Sequence, residues 1–328
     1  MLTAAAPPTH MKAIAFMAYG PPDVLQVLEK ETPSPKNNEV LVRVHASSVN
    51  AMEWRPFTLP TIFLRLIAGL RRPRDPSLGV DVAGRVDTVG AAVTQFQPGD
   101  EVFGLCHGAF AEYACAREDR LVRKPANVSF EAAAAVPLAA VTALQGLLKK
   151  GNVQPGQRVL IHGASGGAGT FAVQIAKAFG AEVTAVCSTK NVEMVHSIGA
   201  DRVIDYTKED FATSGRRYDV IVVANGNRSI LDYWRSLTPD GTCVVFGGAI
   251  PRFLQTLLLK PVLSRLAGRK IRLMLTQPTQ KDLNLLKELL ESGTLVPVID
   301  RTYPLGQVAE AVKYLMEEHG RGKVVVTV

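Results

Sequence analysis

Polar and apolar residues change their rhythm twice along this chain. Over residues 12–125 the rhythm is two: LVRVHASSV at 41–49 alternates, residues 82–89 alternate around Gly84, and Pro98-Gly99-Asp100 turns the chain before Glu101-Val102-Phe103. Alternation puts successive side chains on opposite faces of a strand, so this stretch reads as mainly β. Two segments depart from it. TIFLRLIAGL at 61–70 is an apolar helix candidate, and the alanine-rich 130–150 is a longer one broken at Pro137, because proline has no N–H to give a helix interior.

From residue 157 the rhythm becomes strand, helix, strand. Val159, Leu160 and Ile161 form the continuous apolar run of a buried parallel strand, and glycines follow. Gly167-Ala168-Gly169-Thr170-Phe171-Ala172 fits G-x-G-x-x-A, preceded by Gly163, Ala164, Ser165 and Gly166. Ala168, Phe171, Ala172, Ile175, Ala176 and Phe179 then recur at helical spacing, Gly180 serves as a C-cap, and a second strand runs over 182–187. Strand, glycine turn, helix and strand within about 30 residues form the context in which such a turn cradles a pyrophosphate on a helix N-terminus. Further strands at 202–204, 220–224, 242–246 and 271–275, with helices at 192–198 and 229–237, predict a doubly wound parallel sheet. After residue 296 the β character returns, with strands at 298–300 and 323–328 around a helix at 307–318, so the chain is expected to rejoin its first domain.

The second strand ends in Ser188, Thr189 and Lys190, where an NAD site usually carries a carboxylate for the ribose hydroxyl. Two hydroxyls and an ammonium suit a 2′-phosphate, which points to NADPH. The bland alternative is that Lys190 is a solvated residue opening the next helix.

Composition narrows the rest. The chain has 328 residues, 47% hydrophobic and 20% charged, enough for two domains. The net charge of +7 is spread over small basic groups with no interleaved aromatics, so no nucleic-acid partner is expected. Cys106, Cys115, Cys187 and Cys243 form no C-x-x-C pair, which suits a reducing, cytoplasmic setting. The opening MLTAAAPPTH has no secretory pattern and is expected to be a flexible tail over 1–10. The apolar stretch 250–268 is interrupted by Pro251, Arg252, Lys260, Pro261 and Arg265, short of the ~20 residues that span a bilayer. It suits helices over a pocket or a subunit contact.

Several motifs together resemble the medium-chain dehydrogenase/reductase superfamily, in its zinc-free quinone oxidoreductase (zeta-crystallin-like) branch. They are Ser48-Val49-Asn50, the run from Leu78-Gly79-Val80-Asp81-Val82-Ala83-Gly84 to Gly99-Asp100-Glu101-Val102, Gly108-Ala109-Phe110-Ala111-Glu112-Tyr113, the glycine run, Gly199-Ala200-Asp201 and Gly322-Lys323-Val324-Val325. The resemblance covers nearly the whole chain from Met11. It implies an α/β protein: a GroES-like β-rich catalytic domain at 11–133 and 279–328, and a Rossmann domain at 134–278. In zinc-dependent relatives a Cys stands at the place of Asn50 and a His at that of Val80, and neither replacement leaves the three ligands catalytic zinc requires.

The resemblance implies an oxidoreductase moving hydride from NADPH to a quinone or an α,β-unsaturated carbonyl compound. Asn50 is the candidate donor to the developing oxyanion, with a plain turn residue as the alternative, and Glu53 stands where the family often has Asp. Trp54, Phe57, Phe63 and Leu66 would wall the substrate, or belong to the core. Thr142 is placed near the nicotinamide, Tyr206 beside Lys190, and Ala224-Asn225-Gly226 and Phe246-Gly247-Gly248 along the cofactor groove, where the carboxyl ends of parallel strands put a ligand. A homodimer through the 271–275 edge is implied. A zinc alcohol dehydrogenase and a non-enzymatic NADPH-binding protein remain the competing readings.

Overall fold

A computed structural model describes residues 7–51, 53, 69, 73–248, 250–263, 268–317 and 320–328. The helix expected at 61–70, the apolar residues Trp54, Phe57, Phe63 and Leu66, and the first six residues of the expected tail lie outside them.

The chain opens with β1 (His10–Phe16), β2 (Leu25–Glu31), β3 (Glu39–Val49), β4 (Asp81–Val89), β5 (Glu101–Leu105), β6 (Tyr113–Arg117) and β7 (Leu121–Arg123), followed by helices α1 (Phe130–Ala134) and α2 (Pro137–Leu144). A widened helical turn over Gln145–Gly151 leads to β8 (Arg158–His162), α3 (Gly167–Ala178), β9 (Glu182–Cys187), α4 (Val192–Ser197) and β10 (Arg202–Asp205). Then come β11 (Tyr218–Val223), α5 (Ile230–Arg235), β12 (Leu237–Val245), α6 (Ile250–Leu263) and β13 (Lys270–Leu273). The last elements are α7 (Gln280–Glu291), β14 (Ile299–Pro304), α8 (Val308–Glu317) and β15 (Lys323–Thr327). They fall into two compact units, Met1–Leu138 with Pro278–Val328, and Ala139–Gln277.

In the first unit β1 and β2 form an antiparallel pair, and a second sheet runs β14-β15-β3-β4-β5-β7 with β6 also on β3. The alternation along β3 sorts its side chains: Val40, Val42 and Val44 pack with Val82, Val86, Val102 and Leu121, whereas Leu41 packs with Met11, Ala13 and Tyr113 on the other side. Burial on both faces explains why the strand is so rich in valine. Late in the chain β15 returns antiparallel to β3, pairing Val324 with Val49 and Val325 with Ser48. That register sets Lys323 beside the end of β3. Helix α7 was not expected from sequence, although Thr279 and Asp282 form a reciprocal capping box and Leu283, Leu286 and Leu290 bury at helical spacing, both readable signals.

The second unit is a six-stranded parallel sheet in the order β10-β9-β8-β11-β12-β13. Counting its strands from one, this is 3-2-1-4-5-6, the dinucleotide-binding order, in which the ligand crevice opens where the order reverses. That point lies between β8 and β11. Leu160, Val186, Tyr218, Ile221 and Val223 share one buried cluster, and α3 buries Phe171, Ala172, Ile175 and Ala176. Strand β12 starts earlier than its apolar run, at Leu237, because the ladder with β11 shifts register between Tyr218 and Val220.

Candidate active site

The glycine turn follows β8 directly. Gly163 adopts a φ of +84°, a region open to glycine but costly for other residues. A Cβ there would lie 2.6 Å from the Asn225 backbone nitrogen. The amides of Gly163 and Ala164 both donate to Val186 O at 3.2 and 3.1 Å, which holds the turn to β9. Gly166 is the N-cap of α3 with no side chain capping it, so first-turn N–H groups face outward for an anion. A Cβ on Gly169 would stand 2.0 Å from Gly163 O. Gly163 and Gly169 are thus the positions of the turn where the backbone leaves no room for a side chain. Gly167, which opens the G-x-G-x-x-A spacing, is the first residue of the helix. Ser165, Gly166, Gly167 and Ala168 form the half-exposed rim.

Neighbouring strand ends converge on this turn. Ala224 and Asn225 donate to His162 O at 3.0 and 3.2 Å, and Phe246 and Gly247 to Val223 O at 3.3 Å. A Cβ on Gly247 would meet Ala224 O at 1.8 Å, and one on Gly248, whose φ is +124°, would meet Gly226 O at 2.8 Å. Backbones this close leave no room for a side chain at Gly247 or Gly248. Thr142 bonds Thr276 between hydroxyls at 2.8 Å. Sequence reading passed over His162, whose Nδ1 lies 3.0 Å from the Tyr233 hydroxyl and whose pKa burial lowers to about 4. A neutral imidazole thus sits under the glycine turn.

At the end of β9, Ser188 accepts from Asn191 Nδ2 at 3.3 Å. The Thr189 hydroxyl donates to Asp205 Oδ2 at 2.6 Å. Thr207 binds Asp205 Oδ1 through N–H and hydroxyl at 3.0 and 2.8 Å, and these bonds hold Asp205 down at about 2. Lys190, Thr189, Asp205 and Lys208 line one cleft of about 500 Å³. Tyr206 is 55% exposed, an open aromatic face and not core. The residues present fit a nicotinamide dinucleotide: cradle glycines, an uncapped helix start, and two ammonium groups in a cleft at the end of the second strand.

In the first unit, motif fragments far apart in sequence meet in one buried cluster. Asp81, fully buried, accepts at Oδ2 from Ser48 Oγ at 2.5 Å and from Asn50 Nδ2 at 2.8 Å, and at Oδ1 from Leu138 N at 2.8 Å. The last bond caps the start of α2 with a carboxylate. Lys323, 3% exposed, donates to Asn50 Oδ1 at 2.6 Å and Val49 O at 3.3 Å and lies 3.5 Å from Asp81 Oδ2. Glu53 accepts from Asn50 N at Oε2 and from Val80 N at Oε1, both at 2.9 Å. Burial, then the Asp81 charge, raise its pKa to about 7 against the Asn50 N–H and the Lys323 ammonium.

Asn50, the candidate donor, is thus held by neighbours on both ends of its amide. Its short amide bond goes to Asp81, and among the described residues its other hydrogen has only long contacts, to Ser48 O at 3.3 Å and Glu53 Oε1 at 3.5 Å. The cluster does not suit a metal ion. An ammonium already lies at hydrogen-bond distance from the Asn50 oxygen, Val80 takes part through its backbone, and among the described residues no group of three or more His, Cys, Asp or Glu could hold a metal. Cys106 has its thiol pKa pushed up by burial, then by Asp81, and is no nucleophile.

Residues 36–126 match the alcohol dehydrogenase GroES-like domain, and residues 198–326 match the zinc-binding dehydrogenase family. The chloroplast envelope quinone oxidoreductase homolog of Arabidopsis thaliana is 32% identical over 330 residues, 96% of this chain and 98% of that protein. The chain belongs to the quinone oxidoreductase branch of the medium-chain dehydrogenase/reductase superfamily. Another member, the chloroplastic NADPH-dependent alkenal/one oxidoreductase of Arabidopsis thaliana, is 33% identical over 341 residues, 97% of this chain and 80% of that protein. The quinone oxidoreductase from Coxiella burnetii superposes with a TM-score of 0.86 at 30% identity, covering 97% of this chain and 99% of that one. In this superfamily a chain whose family match is named for zinc carries, at Asn50 and Val80, an amide bound to a lysine and a side chain without a donor atom.

Proposed function

We propose that the protein is an NADPH-dependent reductase of quinones or α,β-unsaturated ketones and aldehydes that works without zinc. The observation that carries this reading is the buried Lys323–Asn50–Asp81 cluster, which supplies a fixed cation and an amide where a metal site would need ligands. The names of the relatives, quinone oxidoreductase and alkenal/one oxidoreductase, support the substrate class. Bound NADPH supplies a hydride. On an enone the new C–H bond forms at the β-carbon, the π pair moves onto the carbonyl oxygen as an enolate, and a solvent proton at the α-carbon completes the saturated ketone. Asn50 Nδ2–H, whose second hydrogen is held among the described residues only by long contacts, is the donor to that oxygen. Glu53 fixes the Asn50 and Val80 backbones.

On this reading residues 11–133 and 279–328 handle the substrate, and 134–278 hold the cofactor through Thr142, the Gly163–Gly169 turn, the strand ends at Ala224-Asn225 and Phe246-Gly247-Gly248, and Ser188, Thr189, Lys190 and Tyr206 around the adenosine phosphate. A homodimer through β13 is supported by its place at the sheet edge, and a cytoplasmic setting by four unpaired cysteines. No described helix is long and apolar enough to cross a membrane. The test is consumption of NADPH and NADH on a panel of quinones, enones and simple alcohols, with and without chelator, beside elemental analysis. Faster turnover with NADPH on the first two classes, indifferent to chelator, is expected. Strict use of NADH removes the cofactor half, and one zinc per chain with alcohol oxidation overturns the rest.

A further inference from the structure

Resting on that reading, we infer that Lys323 is a positioning residue that acts through Asn50: its buried ammonium fixes and polarises the amide, so that the charge a Lewis acid would supply reaches the substrate oxygen along one side chain. The geometry allows a single arrangement of the amide. A lysine has only donors and a carboxylate only acceptors, so Oδ1 must face Lys323 and Nδ2 must face Asp81, as the 2.6 and 2.8 Å contacts show. An Asn amide orientation is ordinarily ambiguous; here the neighbours decide it.

The bonding capacity in the cluster is then nearly used up. The three ammonium hydrogens of Lys323 have three acceptors, Asn50 Oδ1, Val49 O and Asp81 Oδ2. Asp81 receives the Ser48 hydroxyl, the Asn50 amide and the Leu138 amide. What is left is the second Nδ2 hydrogen of Asn50, at 3.3 and 3.5 Å from its nearest acceptors among the described residues. Withdrawing electrons from the amide oxygen makes that hydrogen a stronger donor, because linked hydrogen bonds polarise one another in a low dielectric. The cation itself never touches the substrate.

The test compares wild type, Lys323→Met, Lys323→Arg and the charge-balanced Asp81→Asn/Lys323→Met, each assayed with NADPH on a simple enone and on a quinone, with NADPH affinity read separately by fluorescence. Loss of an oxyanion donor lowers kcat by about 10²–10³-fold, so an indirect effect of about tenfold is expected for Lys323→Met on the enone. A smaller loss is expected on the quinone, whose negative charge is delocalised. NADPH affinity should be unchanged, and Lys323→Arg should recover most of the rate. Should Lys323→Met fail to fold, the double variant carries the same comparison. Equal losses on both substrates, or a lower melting temperature with kcat intact, overturn the inference and leave the proposed function standing. A wild-type protein that turns over neither substrate overturns both.

Discussion

Lys323 Nζ and Asn50 Oδ1 are joined at 2.6 Å across 273 residues of sequence. The bond closes the first unit at the point where β15 comes back to β3, so a change in the cluster bears on stability as well as on chemistry. Truncating Asp81 shows this most directly. Asp81→Ala leaves the Lys323 ammonium buried without its carboxylate and the start of α2 uncapped. Breaking one side of a buried pair destabilises by about 3–5 kcal/mol, and a urea titration should find a loss of that size, while Asp81→Asn should lose less because its one amide oxygen can still accept from the Leu138 N–H at the start of α2.

Glu53 links stability to pH. Its pKa is raised from 4.5 to about 7 in the folded protein, so between those values the folded state holds a proton that the unfolded state has released. The sign follows: this contribution is complete below about pH 4.5 and is lost as pH rises through about 7, a swing of about 3 kcal/mol at 1.36 kcal/mol per pH unit. Urea midpoints at pH 5 and pH 8 should differ in that sense for wild type. In Glu53→Gln the difference should shrink; an unchanged difference would assign the pH dependence elsewhere.

Gly169 tests the cofactor turn. Its missing Cβ would fall 2.0 Å from Gly163 O, so Gly169→Ala must push the turn away from the helix. Overpacking of this kind destabilises by about 1–3 kcal/mol. If the displaced backbone is the one that cradles the pyrophosphate, a larger fall is expected in NADPH affinity, about tenfold or more by fluorescence titration.

Lys190 tests cofactor choice. If it holds the 2′-phosphate, Lys190→Ala should raise KM for NADPH about tenfold, the size of one charge-assisted bond, and leave KM for NADH unchanged. Parallel changes for both cofactors would make Lys190 a structural residue of the cleft it shares with Asp205 and Lys208.

The sequence shows most clearly what is local. The βαβ unit is legible because apolar runs, glycines and a 3.6-residue period sit side by side, and the Pro137 break appears as the start of α2. The division of labour among the glycines is less legible, because a spacing pattern counts glycines and does not reveal that Gly163 alone in the turn has a positive φ or that the helix begins at Gly167. The cluster at Asn50 was legible only in pieces. Ser48-Val49-Asn50, Val80-Asp81 and Lys323 each stand in a motif, but their convergence depends on the β15–β3 register, and lysine is ordinarily a surface residue. Nothing local announces that one will be 3% exposed.

The return of β15 also sets an order of assembly. Asp81 leaves the ribosome 242 residues before Lys323, so throughout synthesis two carboxylates destined for the same dry pocket have no countercharge, and the place beside β3 that β15 fills stays open. The buried pair of Asp81 and Lys323 that joins the ends of the first unit therefore cannot form until the last strand has been made.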